Sequence, residues 1–162
     1  MSKLINYRDI PVEKWSKSLN IKWSFDLKNQ VYDRYREEAY YDDGTQFIAG
    51  WVNMDVFFHS IPKLHQLKGN DIWKYRNVNK INGAINFWKK GGKMTPPIID
   101  TLVNYSKSAR LPILKIKDGI IIRAGFHRFS VCCLVNLDEM PFFTPVESQK
   151  DVEAKLGVVR WV

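Results

Sequence analysis

The sequence predicts an α+β fold, because amphipathic helices and short apolar strands alternate through its second half. Apolar residues recur at helical spacing from Asn79 to Lys90, and Gly91-Gly92 then ends that segment. Short apolar runs follow, and Asp118-Gly119 is a two-residue turn of the kind that joins hairpin strands. We therefore expect a small mixed sheet with flanking helices.

Four short segments of this half are predicted strands. They are Pro97–Ile99, Leu111–Ile116, Ile120–Arg123 and Met140–Thr144. A helix is predicted from Phe129 to Val135, and a terminal helix from Ser148 to Leu156 is ended by Gly157. The apolar tail of residues 158–162 is expected to pack back on the body.

The N-terminal part is interpreted as helical. Residues 11–19 begin with Pro11, which is favoured as a first helical residue. Residues 26–41 carry apolar side chains at helical spacing, and Asp42-Asp43-Gly44 then breaks the pattern. These segments predict two helices before residue 45.

Residues 46–67 are apolar and aromatic on more than one face, so their period does not separate helix from strand. A buried helix, or a helical hairpin broken at Pro62, is the preferred interpretation. The whole of residues 1–75 is then a helical N-terminal extension.

The charge balance favours anionic partners. The 162 residues carry 25 Lys and Arg against 17 Asp and Glu, a formal net charge of +8. A basic protein of this kind attracts DNA, RNA or nucleotides, although a solvated basic surface explains the same numbers. With 45% hydrophobic residues, the length suits one domain with its own core.

The distribution of apolar residues along the sequence predicts a cytoplasmic protein without a membrane partner. The first residues lack the apolar region of a secretory signal, and no apolar run approaches the roughly 18 residues that cross a bilayer. The two cysteines, Cys132 and Cys133, are adjacent and would point about 100° apart on a helix. They are expected to be buried reduced thiols.

The most informative stretch runs from Lys117 to Ser130, where a turn and an apolar strand lead through Gly125-Phe126-His127-Arg128 toward a helix expected to begin near Phe129. Gly125 would let an oxyanion approach the backbone, and the helix N-terminus would offer N–H groups and a positive dipole end. The further predicted phosphate or nucleotide contacts are Arg128, the backbone or hydroxyl of Ser130, and Phe126 and His127 of the loop. A structural turn with two surface cations is the alternative.

Together with Gly92-Lys-Met-Thr-Pro-Pro-Ile-Ile-Asp100 before it and Asn136-Leu-Asp-Glu-Met-Pro-Phe-Phe143 after it, this stretch resembles the core of the ParB/sulfiredoxin superfamily. The resemblance covers residues 76–146 and implies a loop that binds nucleotide phosphates. It leaves residues 147–162 as a C-terminal helix and tail packed on that core. Arg76 lies where ParB-like proteins carry an upstream arginine, which makes it a second phosphate-contact candidate.

Two departures from the family limit what the resemblance implies. Sulfiredoxin chemistry needs a reactive cysteine in the loop, where this chain has Phe126. ParB partition proteins add a helix-turn-helix domain after the core, and too few residues remain beyond Val146 for one. Sulfinic acid repair and chromosome partitioning are therefore disfavoured.

His127 and Asp100 are the candidate catalytic residues. His127 could act as an acid or base, since its reference pKa is about 6.5, and a capping or core histidine is the alternative. Asp100 at the end of a predicted strand could orient a metal ion or a hydroxyl nucleophile, or could simply cap the strand. No metal site is predicted, because His59 and His65 have no same-face spacing and no cysteine or carboxylate cluster completes a set.

Aromatic and basic residues interleave in two places, over residues 73–76 and 88–90. Such a pattern could stack single-stranded nucleic acid, although core packing is preferred for most of these rings.

The predicted function is therefore binding of a nucleotide or of DNA phosphates, with an NTPase, phosphotransferase or nuclease activity left open. The ligand implied by the resemblance is a nucleoside triphosphate or diphosphate, with Mg2+ as its candidate companion. The alternative is a basic DNA-binding or protein-inhibitor module without catalysis. A single-domain member of this kind is compatible with a phage or mobile-element role in DNA modification.

Overall fold

The computed structural model describes residues 5–26, 45–108 and 119–162. Within these residues the architecture is mixed α+β, as predicted, with helices packed on a five-stranded sheet. The helices are α1 (Val12–Trp15), α2 (Met54–Ser60), α3 (Asn70–Tyr75), α4 (Val78–Lys89), α5 (Leu102–Ser108), α6 (Phe126–Leu134) and α7 (Gln149–Leu156). The strands are β1 (Lys22–Trp23), β2 (Phe47–Asn53), β3 (Lys93–Met94), β4 (Ile98–Thr101), β5 (Ile120–Ala124), β6 (Glu139–Pro145) and β7 (Arg160–Trp161).

The main sheet is mixed and has the strand order β5-β4-β6-β2-β7. Strand β4 pairs antiparallel with β5 and parallel with β6, and β2 pairs antiparallel with both β6 and β7. Strands β1 and β3 form a separate parallel pair. Among the described residues, no helix has the length and apolar character needed to cross a bilayer.

The prediction of a helix or helical hairpin over residues 46–67 is wrong for its first part. Residues 47–53 form β2, which lies between β6 and β7 in the sheet, so the N-terminal part is not a helical extension alone. Ala49 and Val52 pack into different hydrophobic clusters. Because both faces of the strand are apolar, the alternation that identifies a strand is lost.

Helix α2 follows β2 directly, and the side chain of Asn53 caps it. The Asn53 Oδ1 accepts from the N–H groups of Asp55 at 2.9 Å and Val56 at 3.1 Å. An Asn side chain in this position satisfies donors that have no partner inside the helix. The cap therefore sets the point at which the strand becomes a helix.

Helix α4 confirms the helix predicted from residue 79 to residue 90. Its end is a Schellman motif, in which Gly91 N–H donates to Trp88 O at 3.0 Å and Gly92 N–H donates to Phe87 O at 2.9 Å. Gly91 has φ +86°, a backbone conformation that favours glycine. The glycine pair thus ends the helix as its sequence indicates.

The predicted terminal helix and the other predicted strands of the second half are also confirmed where the structure describes them. The observed β4, β5 and β6 overlap the predicted segments within a few residues, and α7 ends at Gly157 with φ +55°. The tail packs on the body as β7, with Trp161 at 5.6 Å from Phe142 between ring centroids. Pro11 precedes α1 and does not begin it.

Three predicted features lie outside the described residues. They are the helix of residues 26–41 beyond Asp26, the Asp42-Asp43-Gly44 break, and the strand of residues 111–116 with the first residue of its turn.

The core of the described residues consists of two large clusters that meet at α6 and a smaller third cluster that contains Ala49. One lies between the sheet and helices α2, α6 and α7, and the other surrounds α4. Helix α6 gives Phe129 to the first cluster and Val131 to the second. Trp73 and Trp88 belong to the second cluster, so core packing is confirmed for these two rings.

Candidate functional site

The segment that carries the predicted phosphate contacts is the first turn of a helix, not a loop. Helix α6 begins at Phe126, three residues before the predicted start, and its first internal hydrogen bond runs from Phe129 N–H to Gly125 O at 2.9 Å. The prediction of a start near Phe129 is wrong. Cations in a first turn oppose the helix dipole, so His127 and Arg128 did not favour a helix at this point.

Position 125 requires a glycine, because of its backbone conformation and because of the atoms that lie close to it. Its φ is +97°, and a Cβ added to it would lie 2.8 Å from Pro97 Cα and 2.9 Å from Arg128 Nη2. Both distances are shorter than a side-chain carbon tolerates. The missing side chain therefore makes room for the chain's own Pro97 and Arg128, on the side where we had expected an anion.

Arg128 points into the protein. It is 2% exposed, and its Nη1 donates to Thr95 O at 2.6 Å. This bond ties the first turn of α6 to the segment that leads into β4. A ligand in solvent does not reach the guanidinium in this arrangement, so Arg128 fits a structural role better than the contact role predicted for it.

Ser130 is also engaged inside the helix. Its hydroxyl donates to Phe126 O at 2.7 Å, and the residue is buried. Ser and Thr hydroxyls commonly bond the carbonyl four residues earlier in a helix. The hydroxyl therefore does not face a ligand.

Arg76 lies beside the first residue of α6. Its guanidinium carbon is 4.8 Å from the centroid of the Phe126 ring, and its Nη2 is 2.9 Å from His65 Nδ1. The His65 and Phe126 ring centroids are themselves 4.8 Å apart. Two predicted site residues, Arg76 and Phe126, are thus brought together with one that was not predicted for this site, His65.

The His65 ring acts as a hydrogen-bond acceptor in this cluster. Burial, and then the positive charge of Arg76, lower the pKa of His65 below its usual value. A guanidinium can only donate, so the Nδ1 of a neutral imidazole accepts from Arg76 Nη2. Burial also lowers the pKa of Arg76, which starts high enough for the group to stay protonated.

His127 lies in the first turn of α6 and is half-buried. Its position adjoins Phe126, the ring on which Arg76 stacks. The structure therefore places Gly125, Phe126, His127 and Arg76 around one helix end, with Arg128 beneath it.

Asp100 lies on β4 at the centre of a buried polar network. Its Oδ1 accepts from Ser148 Oγ at 2.6 Å and from Thr101 N–H at 2.7 Å, and its Oδ2 accepts from Asn104 Nδ2 at 2.8 Å. Arg123 Nη1 is 3.8 Å from Oδ2. A metal ion or a substrate hydroxyl would have to displace these contacts to reach the carboxylate.

Burial dominates the electrostatics of that network. It raises the pKa of Asp100, while the bonds from Ser148, Asn104 and Thr101 and the charge of Arg123 act in the opposite direction. Ser148, Asn104 and Arg123 were not identified from the sequence. They come from three separate elements, so no local pattern connects them to Asp100.

The cysteines are free thiols, as expected. Cys132 is buried and Cys133 half-buried, and burial raises the pKa of Cys133 to about 12. A thiol with so high a pKa is a poor nucleophile at neutral pH.

Comparisons of the chain with protein-family models, with curated proteins and with solved structures gave no match.

Proposed function

We propose that the chain binds a phosphorylated ligand of the nucleotide type at the N-terminal end of α6, as the resemblance to the ParB/sulfiredoxin superfamily implies. The observation that carries this proposal is the position of Arg76. Its half-buried guanidinium is held 4.8 Å from the ring of Phe126, the first residue of the helix.

The helix end itself favours an anion. Its N-cap is Gly125, which supplies no side-chain acceptor, and its first turn contains no acidic residue. First-turn N–H groups have no acceptor within a helix, and the dipole makes this end positive. His127 and Arg128 add basic side chains to the same turn, and a bound phosphate would offset their unfavourable position.

Arg76 is pre-organised for such a ligand. The Phe126 ring supports one face of the guanidinium, and the His65 acceptor fixes one of its nitrogens. A guanidinium has five N–H donors, so donors remain for a phosphate after the His65 bond is made. Little side-chain entropy is lost when a side chain is already held in this way.

We assign Arg76, His127 and the backbone of the first turn to ligand contact, and Gly125, Arg128 and Ser130 to shaping the helix end. The ligand class is a nucleoside triphosphate or diphosphate, with Mg2+ as a companion ion to test. Asp100 belongs to the buried network, and no catalytic step is assigned to it.

Thermal unfolding in the presence of tripolyphosphate, ATP, CTP or GTP, each with and without Mg2+, tests this function. A ligand that binds only the folded state stabilises it by about 2.7 kcal/mol at a hundred times its Kd. We expect wild-type protein to be stabilised and Arg76→Ala to lose the effect. Arg8→Ala is the matched control, because Arg8 is an exposed arginine in the N-terminal segment and its loss changes the net charge equally.

Absence of stabilisation by every polyphosphate would overturn the proposal. Equal losses in Arg76→Ala and Arg8→Ala would also overturn it, since they would indicate a general effect of net charge. Salt-sensitive DNA binding without any nucleotide effect would instead support the DNA-binding alternative.

A further inference from the structure

Tyr75, the last residue of α3, presents an aromatic ring to solvent. It is 62% exposed, while Ile72 and Trp73 of the same helix are buried. Phe25 is the other exposed aromatic among the described residues, but it packs against Trp51 and Phe143. The Tyr75 ring contacts its neighbour Lys74, whose Nζ is 5.2 Å from the ring centroid.

The exposed ring belongs to the residue that precedes Arg76 of the candidate phosphate site. Tyr75 directly precedes Arg76, whose guanidinium lies over Phe126 and contacts His65. A flat apolar surface and a fixed cation thus come from consecutive residues. Nucleotides carry the complementary pair of groups, a base and a phosphate.

The segment that leads to Tyr75 and Arg76 is basic. Residues 63–76 contain Lys63, Lys68, Lys74 and Arg76 against one acidic residue, Asp71. The three lysines are exposed, and none forms an ion pair with a carboxylate in the part of the chain that the structure describes. This arrangement suits a ligand with several phosphates along its length.

We propose that this surface binds single-stranded nucleic acid, with a base stacked on Tyr75, its phosphate on Arg76 and the lysines along the backbone. The inference rests on the phosphate site proposed above and specifies its ligand. A base within a duplex already stacks on both neighbours, so a protein ring cannot cover its face without unstacking it. An unpaired strand offers its faces freely, and stacking on an aromatic ring tolerates any base.

Binding of fluorescein-labelled oligonucleotides of about 12 nucleotides, within the usual site sizes, tests the inference by fluorescence anisotropy. The probes are oligo-dT, oligo-U and a duplex of the same length, and the variants are Tyr75→Ala and Tyr75→Phe. We expect Tyr75→Ala to weaken single-strand binding about fivefold or more, because stacking of one base contributes roughly 1–3 kcal/mol. Tyr75→Phe keeps a stacking face and should bind like wild type.

Val162→Ala is the matched control, since Val162 is an exposed apolar residue at the end of the chain. It should bind oligonucleotides like wild type. Tripolyphosphate has no base, so its stabilisation of the protein should survive Tyr75→Ala and be lost in Arg76→Ala.

Wild-type affinity of Tyr75→Ala for both single strands would overturn the inference. Duplex binding as tight as single-strand binding would also overturn it. Full displacement of the oligonucleotide by polyglutamate at equal charge would do the same, since either result would indicate a surface that binds any polyanion. Failure of the phosphate site is recognised separately, by the absence of a tripolyphosphate effect in the wild-type protein.

Discussion

Two arginines lie near the start of α6, and they differ in how deeply their side chains are buried. Arg128 is inside the protein and donates to Thr95 O, whereas Arg76 is half-buried beside Phe126. The sequence motif favoured Arg128 as the main ligand contact. In the function proposed here that role belongs to Arg76, because only a guanidinium that reaches solvent can bind a ligand from solution.

Replacing Arg128 by Ala is expected to destabilise the fold. The change removes the bond to Thr95 O and leaves a cavity beneath α6, so the free energy of unfolding should fall by about 2–4 kcal/mol. Urea denaturation followed by circular dichroism measures this loss. The same change at Arg76 should cost less than about 1 kcal/mol, since that side chain is only partly buried.

The opposite result would indicate that Arg128 contacts the ligand. If Arg128→Ala kept the stability of the wild type and lost only the stabilisation by polyphosphate, its guanidinium would act on the ligand and not on the fold.

At this scale the sequence identified residue types better than residue environments. Gly125, Phe126, His127 and Arg76 were all predicted from a motif and lie around one helix end. His65 was not predicted there, because it reaches the site only through the packing of the segment before α3. The burial of Arg128 depends on Thr95, which is distant in sequence and has no pattern that reveals the contact.

The start of α6 is the element on which the proposed site depends. A glycine at φ +97° turns the chain from β5 into the helix, and the close packing of Pro97 against it fixes that turn. The direction of the first-turn N–H groups follows from this geometry. A change at Gly125 therefore affects the fold and the site together.

The pair Gly125→Ala and Gly157→Ala separates steric conflict from backbone strain. Both glycines have left-handed backbone conformations, but a Cβ at Gly157 would meet nothing within 4 Å, whereas one at Gly125 would meet Pro97 Cα at 2.8 Å. Overpacking typically costs 1–3 kcal/mol, so Gly125→Ala should lower the free energy of unfolding by about that much more than Gly157→Ala. Urea denaturation of the two variants measures the difference, and equal losses would show that Pro97 does not constrain the turn.

Element predictions succeeded where a local pattern and a glycine coincided, and failed where burial removed the pattern. Helix α4 shows the first case, since its apolar spacing and Gly91-Gly92 both describe the observed helix and its end. Strand β2 shows the second, because Ala49 and Val52 pack into different clusters. A strand that is apolar on both faces has no alternation to detect.

At the scale of the whole molecule, strand order could not be predicted from the sequence. Strand β2 from the first third of the chain lies between β6 and β7, which come from its end. Such pairing depends on contacts between distant residues, and no local signal specifies it. The interleaving joins strands from the first third and from the end of the chain in one sheet.

Helix α6 also joins the two large clusters, and this predicts a single cooperative unfolding transition. Phe129 packs against Phe57 at 5.3 Å between ring centroids in one cluster, while Val131 packs with Trp15 and Trp88 in the other. Three of the six tryptophans are buried in the second cluster, so tryptophan fluorescence gives that cluster more weight than circular dichroism does, which reports the helices and the sheet. Urea titrations of the wild-type protein followed by the two probes should have the same midpoint. Phe129→Leu changes only the first cluster, yet it should lower the midpoints of the two titrations equally. A fall in the dichroism midpoint alone would mean that the clusters unfold separately and that α6 does not couple them.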